Sequence, residues 1–398
     1  MRWTWRDAEY CWALSMRKFS ALLFPAAFLV MATAAEGGHE LPVYPSYYPQ
    51  EIRVEPVEPG NAARLLAAGK LHAYVGAAPA FDGDRPEFVH DIGSLHSLVV
   101  LSVNPASRLA RDEDPACAVV ETMTRSLAAG AEGFVFHPYP VGPLHGDFLH
   151  HADLADAAKR RYVEASADSQ GASISNIRVK AEGNVAKRLA ASREQGTAAR
   201  WDLTLAEARV ADFVASPVFN LNGWRPVPWG KMGWYQAYKV LAGGLADGPP
   251  RKSADRMAAR LQKGDYRTTV EKLNLERDLV SLLASGCRKA VVGYTVKREY
   301  FSAEFTSGIE NIAFDSHGGL NSAVFVRTVK LKDLPWNGWL RLGIATRPDA
   351  AWNPVAGFTD GAGRLIWHTV GDPAFFPEPY NQSWSVNRIG GVQFAVDE

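Results

Sequence analysis

The sequence predicts an N-terminal α/β domain with a largely parallel sheet, followed by an α+β, β-rich C-terminal domain. Three observations lead there. Strand and helix signals alternate twice between residues 51 and 136, and strand-like segments dominate from Ala290 onward. Composition also changes abruptly between the halves. The nine tryptophans beyond residue 35 all lie at or after Trp201, whereas eight of the ten histidines lie at or before His151. That switch places a boundary within 165–215, giving a leader (1–35), an α/β domain (36–165), a linker with helices (166–215) and a Trp-rich α+β domain (216–398).

The elements follow in order. Ile52, Val54 and Pro56 alternate with polar residues, so 51–57 reads as a strand. Asn61 caps a short helix that Gly69 ends in the left-handed conformation. Leu71, Ala73 and Val75 give a second strand up to Gly76. The apolar run Leu98 to Val103 has the character of a buried parallel strand. Asp114 with Pro115 opens a helix that Gly130 closes, with Ala116, Val120, Met123 and Leu127 on one face. Phe134 to Phe136 is the next strand. In the second half Thr204 and Glu207 form a capping box for a helix over 205–215, which Pro217 stops. Residues 217–233 read as a Pro/Trp/Gly loop, and Val270 to Ala284 has helical periodicity. Strands are expected at 290–296, 299–306, 321–331, 338–345 and 364–370.

Residues 16–34 read as an export signal. Met16-Arg17-Lys18 is a cationic start, Phe19 to Met31 is apolar, and Ala32-Thr33-Ala34 supplies the small-x-small cleavage pattern. The acidic Asp7 and Glu9 are foreign to such a start, so Met16 is the expected initiator. The apolar run is shorter than the ~20 residues of a membrane-spanning helix and holds Pro25, so cleavage fits better than anchoring. A periplasmic or secreted location follows, with no membrane span after cleavage. Removing residues 1–35 turns 43 basic and 43 acidic residues into 39 and 41, and no basic face for nucleic acid is evident. Cys117 and Cys287 then remain. In an oxidising compartment they either pair, tying the two halves together, or sit as buried thiols.

Residues 51–76, EIRVEPVEPGNAARLLAAGKLHAYVG, resemble a segment of the periplasmic solute-binding proteins. The likeness rests on Val57, Leu65, Leu66, Gly69, Lys70, Ala73, Val75 and Gly76. It implies a strand–helix–strand unit with ligand met near the end of the second strand. The preference of ligands for the carboxyl ends of parallel strands points to Tyr74, Gly76, Asn104, His137 and Tyr139 as ligand-binding residues. The alternative for His137-Pro138-Tyr139-Pro140 is a rigid proline loop holding a satisfied histidine.

His137, His145, Asp147, His150, His151 and Asp153 fall within 17 residues. Imidazoles and carboxylates suit a transition metal such as zinc or copper. A helix beginning at Asp147 puts Asp147 and His151 on one face and His150 and Asp153 on the next. Capping carboxylates and surface histidines are the competing explanation. Trp224, Trp229 and Trp234 form an aromatic loop that either stacks on a ligand or partner or fills the core. Glu304, Glu310 and Asp315 read as strand-edge charges. The chain has no G-x-S-x-G elbow, no H-E-x-x-H helix, no phosphate loop and no dinucleotide fingerprint. The sum is an exported, non-catalytic protein that binds a small ligand or assists a periplasmic system. Two alternatives stand beside it: a metal-binding periplasmic enzyme or metal carrier built on 137–153, and an interaction subunit docking an exported protein complex through its Trp-rich half.

Overall fold

Two long strands set the frame. In the computed structural model, described over residues 49, 51–163, 174, 176–197, 200–214, 229–333, 338–349, 360–371, 375–381 and 383–386, β3 (Val89–Val103) pairs antiparallel with β7 (Lys289–Ser302) along nearly its whole length. Around them one eight-stranded sheet forms in the order β1-β10-β2-β7-β3-β6-β5, with β4 also on β7. The remaining members are β1 (Glu51–Pro56), β2 (Ala73–Val75), β4 (Phe134–Phe136), β5 (Val179–Glu182), β6 (Leu203–Arg209) and β10 (Trp339–Ile344). Short hairpins pair β8 (Ile309–Asn311) with β9 (Lys330–Leu331) and β11 (Phe375–Pro377) with β12 (Trp384–Val386).

The sheet is mixed, which corrects the expectation of a largely parallel one. Only β1–β10, β10–β2 and β5–β6 run parallel. The error came from reading Leu98 to Val103 as a parallel strand because it is apolar throughout. What that pattern demands is cover on both faces, and β3 has it while pairing antiparallel. Leu98 and Val100 enter one cluster and Val99, Leu101 and Val103 another. Each such side chain contributes roughly 1.5–3 kcal/mol on burial. The halves are also interleaved: β10 lies between β1 and β2, and β7 between β2 and β3. The expected division within 165–215 therefore does not divide the sheet, and the described residues fall in one compact unit.

Helices cover both faces. On one lie α2 (Glu113–Ser126) and α4 (Asn184–Leu189), packed on Val99, Leu101 and Val292. On the other lie α6 (Gly233–Leu241), α7 (Pro249–Lys263) and α8 (Thr269–Ala284), packed on Leu98, Val100 and Val291. The chain also forms α1 (Pro59–Ala67), α3 (Ala152–Val163), α5 (Val210–Val214), α9 (Ala323–Thr328) and α10 (Gly361–Val370). Gly293 is where β4 closes onto β7: a Cβ there would meet the Val135 carbonyl oxygen at 2.2 Å.

Three elements differ from the sequence reading. Residues 203–209 form a strand because Leu203 and Leu205 alternate into the core. Glu207, expected to box its own helix, instead accepts the N–H groups of Val185 (2.6 Å) and Ala186 (3.2 Å) at the start of α4. Residues 323–328 and 361–370 are helical rather than extended. The Ser322 hydroxyl caps Phe325 N–H and the Asp360 carboxylate caps Gly363 N–H, and each helix buries one stripe. Among the described residues no helix is long and apolar enough to cross a membrane. The leader, and residues 217–228 of the expected 217–233 loop with Trp224, lie outside the described residues.

Cys117 on α2 is bonded to Cys287, which precedes β7, with Cα atoms 4.8 Å apart and a sequence separation of 170. A loop of that size stabilises by about 3–5 kcal/mol, chiefly by restricting the unfolded chain. Reduction, or the double Cys117→Ser, Cys287→Ser variant, is expected to lower Tm by several degrees in calorimetry, with the variant insensitive to reductant.

Candidate ligand crevice and buried polar hub

The parallel trio β1, β10 and β2 ends level, with Pro56 opposite Ile344 and Ile344 opposite Val75. After β1 the chain enters α1, which packs Ala62 and Leu66 against Tyr74. The next described helix after β10 is α10, which packs Ala362 and Leu365 against the other face, with Ala73, Val75 and Leu342. Neighbouring parallel strands thus send their chains to opposite faces. Such a switch leaves a crevice outside the carboxyl ends, where open α/β sheets take ligands.

Gly76 lies at that edge, exposed, with φ +94°. Its N–H donates to Glu299 Oε1 at 2.7 Å, and Leu320 N–H donates to Glu299 Oε2 at 2.7 Å. Lys297 Nζ stands 3.3 Å from the same carboxylate, which is fully buried. Ala77, Phe81, Tyr300 and Ala345 form a partly buried apolar wall, with the Arg85 guanidinium 5.6 Å from the Tyr300 ring centre. Tyr74 is buried and faces inward, its hydroxyl donating to the Val57 carbonyl at 2.9 Å.

The other expected ligand residues are elsewhere. Tyr74 is level with Tyr300 of β7, and Phe136 with Gly293. At ~3.4 Å per residue these strand ends stand roughly 24 Å apart. Asn104 follows the far end of β3, donating to the Trp201 carbonyl at 2.8 Å and accepting from Ala106 N–H at 3.0 Å. His137 Nε2 bonds the Val141 carbonyl at 2.9 Å. Tyr74 and Gly76 share the crevice edge; Asn104, His137 and Tyr139 do not join them.

The histidine-rich stretch builds a buried polar hub. Residues 148–150 form a single 3-10 turn, and α3 starts after His151 rather than at Asp147. Asp147 is fully buried and accepts Gly233 N–H (2.6 Å) and Trp234 N–H (3.0 Å), capping α6 from a distance. His145 Nδ1 accepts Gly142 N–H at 2.8 Å while its Nε2 meets Gln236 Oε1 at 2.9 Å. The Gln236 amide donates to the Gly230 carbonyl and to His317 Nε2, both at 2.8 Å. His317 Nδ1 then bonds Ser316 Oγ at 2.8 Å. With Gly142 N–H donating to His145 and the Gln236 amide donating to His317, the chain of bonds sets the orientation of both rings. Burial, the nearby His145 and Lys231 hold His317 well below the ordinary histidine range. Beside it Lys231 bonds both Asp315 and the Glu378 carbonyl. Asp315, expected as a strand-edge charge, is a buried ion-pair partner.

Among the described residues no group of three or more His, Cys, Asp or Glu side chains is arranged to hold a metal ion. The expected ligand set is dispersed for physical reasons. His137 and His145 are bonded to backbone and Gln236. Asp153 is exposed and bidentate with Arg277 at 2.8 Å, which holds its carboxyl well below the usual range. His150 is exposed. Only Asp147 and His151 stay together, Oδ2 to Nε2 at 3.9 Å, with His151 Nδ1 bonded to Tyr139 OH at 3.0 Å. Trp234 is core, and it and Trp229 meet Tyr235 edge-on at 5.8 and 6.0 Å. Gln236, Lys231, His317 and Glu299 were missed because each is a lone polar residue whose partner lies far away in sequence.

The sequence matches no family model and no curated protein. Solved structures similar to it include NikA from Brucella suis in complex with Fe(III)-EDTA (11% identity, TM-score 0.38, 69% of this chain and 60% of that one). Others are the oligopeptide-binding protein AppA from Bacillus subtilis (12%, 0.38, 69% and 58%) and Haemophilus influenzae OppA (9%, 0.38, 69% and 57%). The chain thus spans about three-fifths of the length of these structures.

Two outcomes follow from the hub. Asp147→Ala leaves two buried N–H groups unpaired and is expected to cost about 2–4 kcal/mol in urea unfolding followed by tryptophan fluorescence. His72, buried against Arg341, is pushed down to about 4, and His317 is lowered too. Histidines depressed in the folded state contribute stability above 6.5 that is lost as pH falls below it. These histidines should therefore pull the unfolding free energy down from pH 6.5 toward 4, and His72→Asn should hold stability better than wild type does over that range.

Proposed function

We propose that this chain is an exported, non-catalytic binding protein that takes a small ligand at the carboxyl ends of β1, β10 and β2. The observation carrying this reading is the switch point itself. Parallel strands ending level, with their connections parting to opposite faces, leave a crevice beside an apolar wall. Gly76 is exposed there with its N–H turned to Glu299, and Phe81, Tyr300 and Ala345 supply apolar cover. Export is supported by the leader pattern of residues 16–34 and by a disulfide suited to an oxidising compartment. The periplasmic solute-binding resemblance of residues 51–76 covers the same strand–helix–strand unit, β1-α1-β2.

The test is a thermal-shift screen of the mature chain against peptides, metal chelates and small organic acids, followed by calorimetric titration of any binder. A compound that raises Tm should bind at least tenfold more weakly to Ala345→Trp and to Phe81→Ala, while the unliganded Tm of Ala345→Trp stays within a few degrees of wild type. A panel without any binder, or a binder indifferent to both substitutions, overturns the assignment.

A further inference from the structure

Glu276 is placed where no carboxylate belongs. On α8 it sits within the buried stripe Leu275, Leu279, Val280 and Leu283, and it is itself fully buried. Neither of its carboxyl oxygens has a hydrogen-bond partner. Lys272 Nζ, one turn back and at the solvent side of the helix, stands 3.7 Å from Oε1, beyond hydrogen-bond reach. The helices packed on α8 bring apolar residues: Ala237, Val240 and Leu241 from α6, and Ala254, Ala258 and Leu261 from α7.

The charged groups of the surrounding elements are engaged elsewhere or face solvent. On α7, Arg260 turns to Glu271, and Asp255 to Arg251 and Tyr238. Lys239 of α6 is exposed. Arg277, next along α8, is bound to Asp153 of α3. The negative group that bears on Glu276 is Asp147, which also caps α6. An ionised Glu276 therefore meets a buried site without a hydrogen-bonded donor, with Lys272 at ion-pair distance on one side and a neighbouring carboxylate on the other.

We propose that Glu276 is a proton-gated latch: with its carboxyl neutral, α8 stays seated against the Asp147-capped end of α6, and ionisation unseats it. Desolvation first and Asp147 second push the group up to about 7, with Lys272 pulling the other way. The sign is fixed by linkage. An unfolded chain loses this proton near 4.5 and the folded chain keeps it, so the contribution to stability is full at low pH and is lost as pH rises through neutrality. His151, whose Nε2 is also buried without a hydrogen-bond partner, is lowered by burial and acts in the opposite direction, below 6.5. The two responses oppose one another between pH 4.5 and 6.5, and above 6.5 that of Glu276 remains.

Hydrogen exchange of the full chain, corrected for intrinsic rates, tests this at pH 6 and pH 8, together with infrared detection of a protonated carboxylic acid at pH 6. Local opening across 269–284 should rise about tenfold between the two values. Glu276→Gln should abolish both that rise and the infrared band, and Lys272→Met should move the rise to higher pH. Protection of 269–284 that is independent of pH in wild type, or a rise that survives in Glu276→Gln, overturns the latch. Should Glu276→Gln fail to fold, the Lys272→Met shift decides: no shift overturns it.

Discussion

The antiparallel ladder between β3 and β7 is the constraint on which the other elements depend. It joins a strand from the first quarter of the chain to one from the last third, and it is buried on both sides. β2 and β4 are seated end to end along one edge of β7, and β6 is added along β3. Because side chains alternate across a strand, a slip of one residue in this ladder would exchange the side chains sent to the two faces and unmake both apolar clusters at once. Cys117–Cys287 fastens α2 beside the start of the same ladder.

Polar groups inside the molecule are handled by two contrasting means. The His145–Gln236–His317 chain gives every ring nitrogen a partner, so it fixes orientation. Its role is to bind the 142–147 segment, the start of α6 and the 315–318 turn into one body. Glu299 does similar work at the crevice, accepting from Gly76 and Leu320 so that two loops from distant parts of the sequence share one carboxylate. At His151 and Glu276 the accounting is incomplete, with buried polar atoms left unmatched. The first arrangement makes a rigid scaffold. The second concentrates electrostatic strain at the seat of a helix.

Local signals in the sequence were informative where the structure is local. The strand–helix–strand unit of 51–76, the helix around Asp114-Pro115 and the helix of 270–284 all carry apolar periodicity that tertiary packing reinforces. The expected caps do not hold: Asn61 and Asp114 lie inside their helices, whose N-caps Glu58 and Asp112 make no side-chain cap, and only Thr268 caps its helix. Residues 203–209 show the opposite case. Their Thr/Glu spacing imitates a capping box, yet Leu203 and Leu205 alternate into a site between β3 and β5 that only the whole sheet creates. The histidine cluster was visible as chemistry but not as geometry, since its partners Gln236, His317, Arg277 and the α6 amides lie at least 80 residues downstream. Sheet order was the least legible feature, because no local pattern announces that β10 enters between β1 and β2.

That insertion has a consequence for biogenesis. β1 and β2 leave the ribosome early, but the partner that joins them is nearly the last strand to be made. The nascent polypeptide consequently holds an open, unzippered edge for most of its synthesis, and its closure is a long-range event of the slow kind. A chain whose architecture cannot close until its tail arrives spends nearly all of its synthesis without its finished sheet.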